Sequence, residues 1–146
     1  MKVYIVDAVG AALIVYHNNY FMRLETGLFK FDENQRVITI SDLEYNMASA
    51  RLAMSLTPKT YPDQSQFLYF RPLASRDLYF IKTEDLKNIP KGKTLRFWGG
   101  KDVLSSQSIG QIFSSNGVLF FGMSKESGIA CYNGYSRLES ENIVSF

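Results

Sequence analysis

Histidine and cysteine, the residue types that most often carry catalysis or bind transition metals, each occur once in this sequence. They are His17 and Cys131. A two-histidine metal site and a phosphodiesterase that uses two histidines are therefore excluded within one chain, and no internal disulfide can form. No serine has the glycine-flanked elbow that exposes a hydrolase nucleophile. The sequence predicts no catalytic residue, no metal site and no cofactor.

Carboxylates and glycines occur where turns need them rather than where chemistry would. Asp32-Glu33, Glu84-Asp85 and Glu139 with Glu141 are local groups at turns or helix starts, which favours solvated or capping roles over paired acid–base catalysis. Gly99-Gly100-Lys101 is the nearest approach to a phosphate-binding loop, but it lacks the ending in Lys-Ser or Lys-Thr. Its two glycines are expected to form a turn.

Basic residues with aromatic neighbours form a pattern that could contact a nucleic acid. Such cations can follow a phosphate backbone while neighbouring rings stack on bases. In strands, the same residues more often form the solvent face, and a net charge of +2 does not decide between the two. The candidate nucleic-acid-binding residues are Arg71, Arg76, Arg96 and Lys101.

Period-two alternation of polar and apolar residues at both ends of the chain predicts β-strands. Asn18-Asn19 is a tight-turn signal between two of them, because asparagine tolerates positive φ. The fold is predicted to be mainly β (α+β), with two packed or one strongly bent antiparallel sheet. The expected strands are 3–6, 13–16, 20–24, 28–31, 37–40, 66–70, 78–82, 94–98, 118–121 and 129–132.

Two helices are predicted within this β fold. Ser41-Asp42-Leu43-Glu44 has the spacing of a capping box, which predicts a helix near 42–56 that ends before Pro58. Apolar residues at helical spacing predict a short helix near 105–115, ended by Asn116-Gly117. The expected core comprises Ile5, Val15, Leu95, Phe97, Ile112, Phe113, Leu119 and Phe121.

Length and composition indicate one domain, 1–146, in a reducing compartment. With 146 residues and 46% apolar content the chain can bury one core, and no linker divides it. The N-terminus has no long apolar stretch with a cleavage site, and Cys131 is expected to be a buried thiol. These features predict a cytoplasmic protein without a membrane span.

The order of motifs from 94 to 128 carries a family resemblance. A strand at 94–98 is followed by Gly99-Gly100, the run Val103-Leu104-Ser105-Ser106, the stretch 116–121 and a hairpin at Gly128. In this order the sequence resembles the N-terminal β-domain of the CRISPR-associated spacer integrase, the nuclease of the adaptation complex. The opening strand and hairpin at the start of the chain look similar as well.

The resemblance implies a non-catalytic interaction or dimerisation module in antiviral defence. The family's metal ligands belong to a C-terminal helical domain without a counterpart here, so no catalytic residue carries over, and segment 27–78 looks like an insertion. A homodimer or docking onto integrase subunits, with inhibition as one outcome, is the expected partnership, and DNA contact is a further expectation. Tyr4, Tyr132 and Tyr135 are the interface candidates.

A second hypothesis stays open at this point. A nucleic-acid-processing enzyme could build its site from the inserted segment and its neighbours, with Arg71, Arg76 and Tyr79 as the polar residues. Metal-dependent nicking of branched DNA by this chain alone would distinguish the enzyme from the interaction module.

Overall fold

The structure is a computed structural model that describes residues 2–47, 51–59, 64–87, 89 and 94–146. Within these ranges the chain consists of β-strands, turns and 3₁₀ helices at Gly27–Phe29, Glu33–Gln35 and Ser140–Asn142. The strands are β1 Lys2–Asp7, β2 Ala12–His17, β3 Tyr20–Glu25, β4 Val37–Ile40, β5 Leu43–Asn46, β6 Leu52–Leu56, β7 Phe67–Pro72, β8 Leu78–Lys82, β9 Trp98–Gly100, β10 Ser108–Phe113, β11 Val118–Met123, β12 Gly128–Asn133 and β13 Ile143–Ser145. The mainly β prediction is confirmed.

The strands form four antiparallel sheets, each in chain order. Sheet one is β1-β2-β3, sheet two is β4-β5, sheet three is β6-β7-β8-β9 and sheet four is β10-β11-β12-β13. Asn18 and Asn19 have φ of 48° and 65°, so they form the two-residue turn between β2 and β3 that the sequence predicts. The structure thus divides the strands among more sheets than the predicted two.

Strand β7 explains how these sheets pack, because it is buried on both faces. Successive side chains of a strand point to opposite sides. Leu68 and Phe70 enter a core shared with Leu13, Val15 and other residues of sheet one and its neighbours. Tyr69 enters a second core together with Leu119, Phe121, Met123, Ala130 and Tyr132 of sheet four. Sheet three is therefore packed between sheets one and four.

Sheets three and four also meet along their first strands. Strand β6 lies next to β10, and the backbone N–H of Phe113 donates to Ser55 Oγ at 2.9 Å. Each of these sheets is a four-stranded up-and-down meander. Consecutive meanders of this kind, packed face to face, are the arrangement that β-propellers repeat around an axis.

The helix predicted near 42–56 is wrong, because the described part of this segment forms β5 and β6. Ser41 and Asp42 have φ of 48° and 67°, so they close the β4–β5 hairpin instead of capping a helix. Leu52 to Leu56 pairs with β7, which supplies the hydrogen bonds that a helix would have made internally. Residues 48–50 of the predicted helix lie outside the described residues.

The helix predicted near 105–115 is also wrong, since 108–113 is strand β10. Ile109 and Ile112, two apolar residues of the helical pattern, are exposed, so they mark no buried face. A bulge at Gly110, with φ of 61°, interrupts the pairing of β10 with β11 and disturbs the alternation that would have indicated a strand. Gly117, which was expected to end this helix, has a left-handed φ of 80° and closes the β10–β11 hairpin instead.

The predicted core is partly correct. Val15, Leu119 and Phe121 are buried, and Leu95, Phe97 and Phe113 pack against the two cores while half-buried. Ile5 is 44% exposed and Ile112 is 67% exposed. Two expected strands also differ: 28–31 contains a 3₁₀ helix, and the strand expected at 94–98 is found at Trp98–Gly100.

The structure does not test the predicted division of the chain into domains. Strands β6 and β7 of segment 27–78 pair with each other, and β7 pairs with β8 beyond the segment's end. The division into a single domain 1–146 with an insertion at 27–78 stays a prediction.

In the described ranges, no helix has the length and apolar character needed to span a membrane.

Glu126, in the β11–β12 turn, gives an expected pH dependence. Ser106 Oγ donates to Glu126 Oε2 at 2.6 Å and Ser105 Oγ donates to Oε1 at 2.9 Å. Burial raises the pKa of Glu126, but these hydrogen bonds outweigh burial and leave its pKa below the usual value. A carboxylate with a lowered pKa stabilises the fold above its unfolded pKa, near 4.3.

We therefore expect Glu126→Gln to be destabilised at pH 7 by under about 1 kcal/mol, because the group is exposed. This difference should shrink as the pH falls below about 4.3 and vanish once wild-type Glu126 is protonated. Urea unfolding of both proteins from pH 7 to pH 3 measures it. A difference that stays constant over this range would contradict the assignment.

Candidate binding cleft

A polar cleft of about 560 Å³ lies beside the loops that flank β8. We call it the aspartate cleft. One wall is the segment from Gly27 to Gln35, and the other is formed by residues just before β8 and just after β9. Its lining residues are Gly27, Leu28, Lys30, Phe31, Asp32, Gln35, Ser75, Asp77, Tyr79, Lys101 and Asp102.

Hydrogen bonds between the walls fix the positions of the three aspartates. Asp77 Oδ1 accepts from the backbone N–H of Asp102 at 3.0 Å, which joins the loop before β8 to the loop after β9. Gln35 Nε2 donates to Asp32 Oδ2 at 3.2 Å and lies 3.5 Å from Asp102 Oδ1. The backbone N–H of Asp32 donates to Ala74 O at 3.2 Å. The cleft is therefore built from groups that already hold each other in place.

Tyr79 forms the inner part of the cleft and acts there as a donor. Its Oη donates to Asp77 Oδ2 at 3.1 Å, and its ring belongs to the core that sheets one and three share. Burial raises the pKa of Tyr79, and the negative charge of Asp77 raises it further. The phenol therefore stays protonated at any ordinary pH, and both Asp77 oxygens have a neutral donor.

The charges of the cleft nearly balance, and one of its acceptors has no partner. Asp102 Oδ1 forms an ion pair with Arg76 Nη2 at 2.7 Å. Asp32 and Asp77 accept the neutral donors described above, while Lys30 and Lys101 bring two positive charges to the rim. Within the described part of the chain, Gln35 Oε1 is buried without a hydrogen-bond partner. The arrangement can accept hydrogen bonds through Gln35 and the aspartates and donate them through the lysines.

Arg71 is not at this cleft or at any surface. It is fully buried, and its guanidinium donates to Ser108 O at 2.6 Å, Gly110 O at 2.8 Å and Gln111 Oε1 at 3.0 Å. Burial lowers the pKa of Arg71 to about 9, so the group is still protonated at neutral pH. Each of its three nitrogens donates to an acceptor inside the protein, and because the residue is fully buried it presents no donor to a phosphate.

The other residues proposed for nucleic-acid contact lie in two places. Arg76 and Lys101 come together near Asp102, where Arg76 is ion-paired. Arg96 lies over the Trp98 ring, with 5.2 Å from its Cζ to the ring centroid. The structure does not test whether these three bind a nucleic acid, and their role stays a prediction.

The three tyrosines proposed as interface residues differ in exposure. Tyr132 is 1% exposed inside the second core, where its hydroxyl donates to Ser136 O. Tyr4 is half-buried against the first core, and Tyr135 is 45% exposed with its ring against the backbone of Gly117. Tyr135 therefore offers a surface, whereas Tyr132 is occupied within the fold. An interface role for these residues stays a prediction.

Sequence reasoning missed the groups that make the cleft. Asp77 was not singled out, and Asp32 was interpreted as a solvated turn residue. One signal was present: Asp32 stands two residues before Asn34, so it can form the side-chain turn in which Oδ1 accepts from the Asn34 N–H at 2.9 Å. Nothing in the spacing indicated that residues near 32, 77 and 102 would meet.

Comparison with known proteins identifies the family. The sequence model of the family described as Major royal jelly protein matches residues 1–146. The chain belongs to the major royal jelly protein family. Among its relatives from Apis mellifera, major royal jelly protein 1 is 35% identical over 144 residues, which is 97% of this chain and 32% of that protein. Major royal jelly protein 3 is 34% identical over 143 residues, 96% of this chain and 25% of that protein.

The family match corrects the resemblance drawn from residues 94–128. The chain is not a β-domain of the CRISPR adaptation integrase, and its interpretation as an interaction module of that system, with a copy of itself, an integrase or DNA as partner, is wrong. The motifs behind it were a short strand, a glycine turn and a hairpin. Such features recur in any antiparallel sheet, so their order did not distinguish two unrelated β proteins.

The match with the major royal jelly proteins covers only part of the length of each relative. The chain spans about a quarter to a third of the length of the curated relatives named here.

In the described residues, no group of three or more histidine, cysteine, aspartate or glutamate side chains could hold a metal ion, the aspartate cleft included. The cytoplasmic location is tested neither by the fold nor by the family and stays a prediction.

Proposed function

We propose that this chain contributes a binding site for a small polyhydroxylated molecule, such as a hexose, to a protein of the royal jelly type. The observation that carries the proposal is the aspartate cleft, in which Asp32, Asp77 and Gln35 present acceptors around a fixed tyrosine. Gln35 Oε1 is buried and has no hydrogen-bond partner in the described residues, and a ligand hydroxyl would supply the missing donor.

The balance of charge favours a neutral ligand over an ion. Asp32 and Asp77 are offset by Lys30 and Lys101 at the rim, and Asp102 is paired with Arg76. A free cation would be attracted by the two aspartates and repelled by the two lysines, and a free anion would experience the reverse. A molecule with several hydroxyl groups can donate to carboxylates and accept from ammonium groups at once, because each hydroxyl does both.

Binding is favoured over conversion by the chemistry of the same groups. The cleft holds no histidine, cysteine or activated serine, and the hydroxyl of Tyr79 donates to Asp77. A nucleophile needs an adjacent base to activate it. Ser75 is buried, and its Oγ accepts from the backbone N–H of Asp77 at 3.0 Å, which places it in a structural turn.

Asp77→Asn tests this assignment. The substitution keeps the size of the side chain and removes the charge that strengthens hydrogen bonds to ligand hydroxyls. In calorimetric titration with glucose we expect the Kd to rise about tenfold or more, which corresponds to the loss of one charge-assisted hydrogen bond.

The matched control is Asp42→Asn, an exposed aspartate in the β4–β5 turn that does not line the aspartate cleft. It should bind glucose as wild type does. Two results would contradict the proposal: no measurable heat with glucose at about 10 mM, or an equal loss of affinity in both variants.

A further inference from the structure

A second cleft, of about 520 Å³, collects basic side chains at the ends of several strands. We call it the lysine cleft. Among the described residues, it shares no lining residue with the aspartate cleft. Its walls come from the start of β1, the end of β2, the end of β6 with the residues beyond it, the residue before β7 and the turn after β8. The lining residues are Lys2, Tyr4, His17, Leu56, Lys59, Gln66 and Lys87.

Backbone pairing fixes the position of these walls. Lys2 is directly opposite His17 in the β1–β2 pair. Gln66 Nε2 donates to Thr57 O at 2.9 Å, and the backbone N–H of Thr83 donates to Gln66 O at 2.8 Å. Gln66 therefore connects the cleft wall beside β7 both to the residues after β6 and to the turn that carries Lys87.

The lysine cleft carries a surplus of positive charge. Lys2, Lys59 and Lys87 bring three ammonium groups, and Glu84, which forms an ion pair with Lys87, offsets one of them. Burial lowers the pKa of Lys2, and the charge of Lys87 lowers it further. A compact ammonium group is a strong point charge for phosphate. An anion placed between Lys2 and Lys87 would relieve their mutual repulsion.

Two buried polar atoms in the cleft have no hydrogen-bond partner among the residues that the structure describes. They are His17 Nδ1 and Tyr4 Oη. The hydroxyl of Thr83 approaches Tyr4 Oη without forming a hydrogen bond of normal geometry. Buried polar groups in native proteins are nearly always paired, so each unpaired one calls for an explanation. Oxygens of a bound anion would pair with both, since each can act as a donor.

From this geometry we infer that the lysine cleft is a binding site for a phosphate-type dianion. Lys2 and Lys87 contact its oxygens through their ammonium groups, and Tyr4 Oη and His17 Nδ1 donate hydrogen bonds to it. A shallow groove that includes Val3, Met54, Ser55 and Leu68 shares Lys2, Tyr4 and Leu56 with the cleft. The site therefore suits an organic phosphate whose apolar part lies in this groove.

Thermal unfolding at constant ionic strength tests the inference with defined probes. Inorganic phosphate and phenyl phosphate are each compared with chloride. Binding to the folded state alone raises the unfolding midpoint in proportion to RT ln(1 + [L]/Kd). We expect phosphate to raise the midpoint and phenyl phosphate to raise it more, because its ring covers apolar groove surface. Equal midpoints in phosphate and chloride would overturn the site.

Three substitutions locate the site, and one serves as a control. Lys2→Gln and His17→Gln should each raise the Kd for phosphate about tenfold, the loss of one charge-assisted hydrogen bond. Tyr4→Phe should weaken phosphate binding without lowering the midpoint in chloride, because it removes a hydroxyl that has no hydrogen-bond partner among the described residues of the free protein. Lys125→Gln, an exposed lysine in the β11–β12 turn, should change nothing.

An equal loss of phosphate binding in Lys125→Gln would overturn the inference, because it would indicate general attraction by net charge. Should Lys2→Gln fail to fold, the Tyr4→Phe comparison decides alone: unchanged phosphate affinity in that variant contradicts the site. Since the described linings of the two clefts have no residue in common, loss of glucose binding in Asp77→Asn with intact phosphate binding would separate this site from the proposed function.

Discussion

Arg71→Leu is expected to lower the free energy of unfolding by about 3–5 kcal/mol, because it leaves three buried acceptors without a donor, at about 1–3 kcal/mol each. Arg71 lies in β7 of sheet three, and all three of its acceptors belong to β10 of sheet four. Gln111 Nε2 in turn donates to Tyr69 O at 3.0 Å, so the network connects the two sheets in both directions. Leucine would leave two carbonyl groups and the Gln111 oxygen without their donor.

Urea unfolding measures this loss, and Arg76→Leu is its control. Arg76 is a half-exposed arginine whose ion pair with Asp102 lies at the surface, so its loss should cost under about 1 kcal/mol. Arg71→Lys should cost an intermediate amount, because an ammonium group cannot donate along the directions of the guanidinium fork. A neutral or stabilising Arg71→Leu would show that the cost of burying the charge exceeds the benefit of its hydrogen bonds.

Gly99→Ala is the second substitution with a large expected effect, at least about 3 kcal/mol of destabilisation. Gly99 has a φ of 125°, a region that residues with a side chain rarely adopt. A Cβ built there would lie 2.2 Å from Leu78 O and 2.7 Å from Tyr79 Cα. Both are backbone atoms of the paired strand β8, so relief requires moving β9 away from sheet three.

Gly27→Ala separates this effect from the general cost of changing a glycine. A Cβ at Gly27 has no neighbouring atom within 4 Å, so its stability should stay within about 0.5 kcal/mol of wild type. Chemical unfolding of both variants gives the comparison. If Gly99→Ala were no less stable than Gly27→Ala, the close packing of β9 on β8 would be contradicted.

Local patterns predicted the fold wherever a strand is bounded by a strong turn. The β2–β3 hairpin was predicted because Asn18-Asn19 is a turn signal and both flanks alternate. The two helix predictions failed at positions where side-chain spacing fits both structures. At Ser41 the capping signal competed with a hairpin turn, and at Gly110 a bulge shifted the period of β10. Hairpin pairing with the adjacent strand decided both cases.

The site could not be predicted because its parts are distant in sequence. Asp32, Asp77 and Asp102 meet only after sheet three has folded and its loops have closed against the 3₁₀ turns. Each looks like an ordinary turn residue when considered alone. Arg71 shows the opposite error: an arginine beside aromatic residues was interpreted as a nucleic-acid contact, whereas the fold buries it between two sheets.

Heteronuclear NMR of the protein titrated with glucose tests the central claim, that the aspartate cleft is the binding site. We expect saturable shifts of the Gln35 side-chain amide and of the backbone amides of Asp32, Asp77 and Asp102, with none at Lys2 or His17 in the lysine cleft. Saturable shifts confined to other residues, or none at glucose concentrations of about 10 mM, would contradict it.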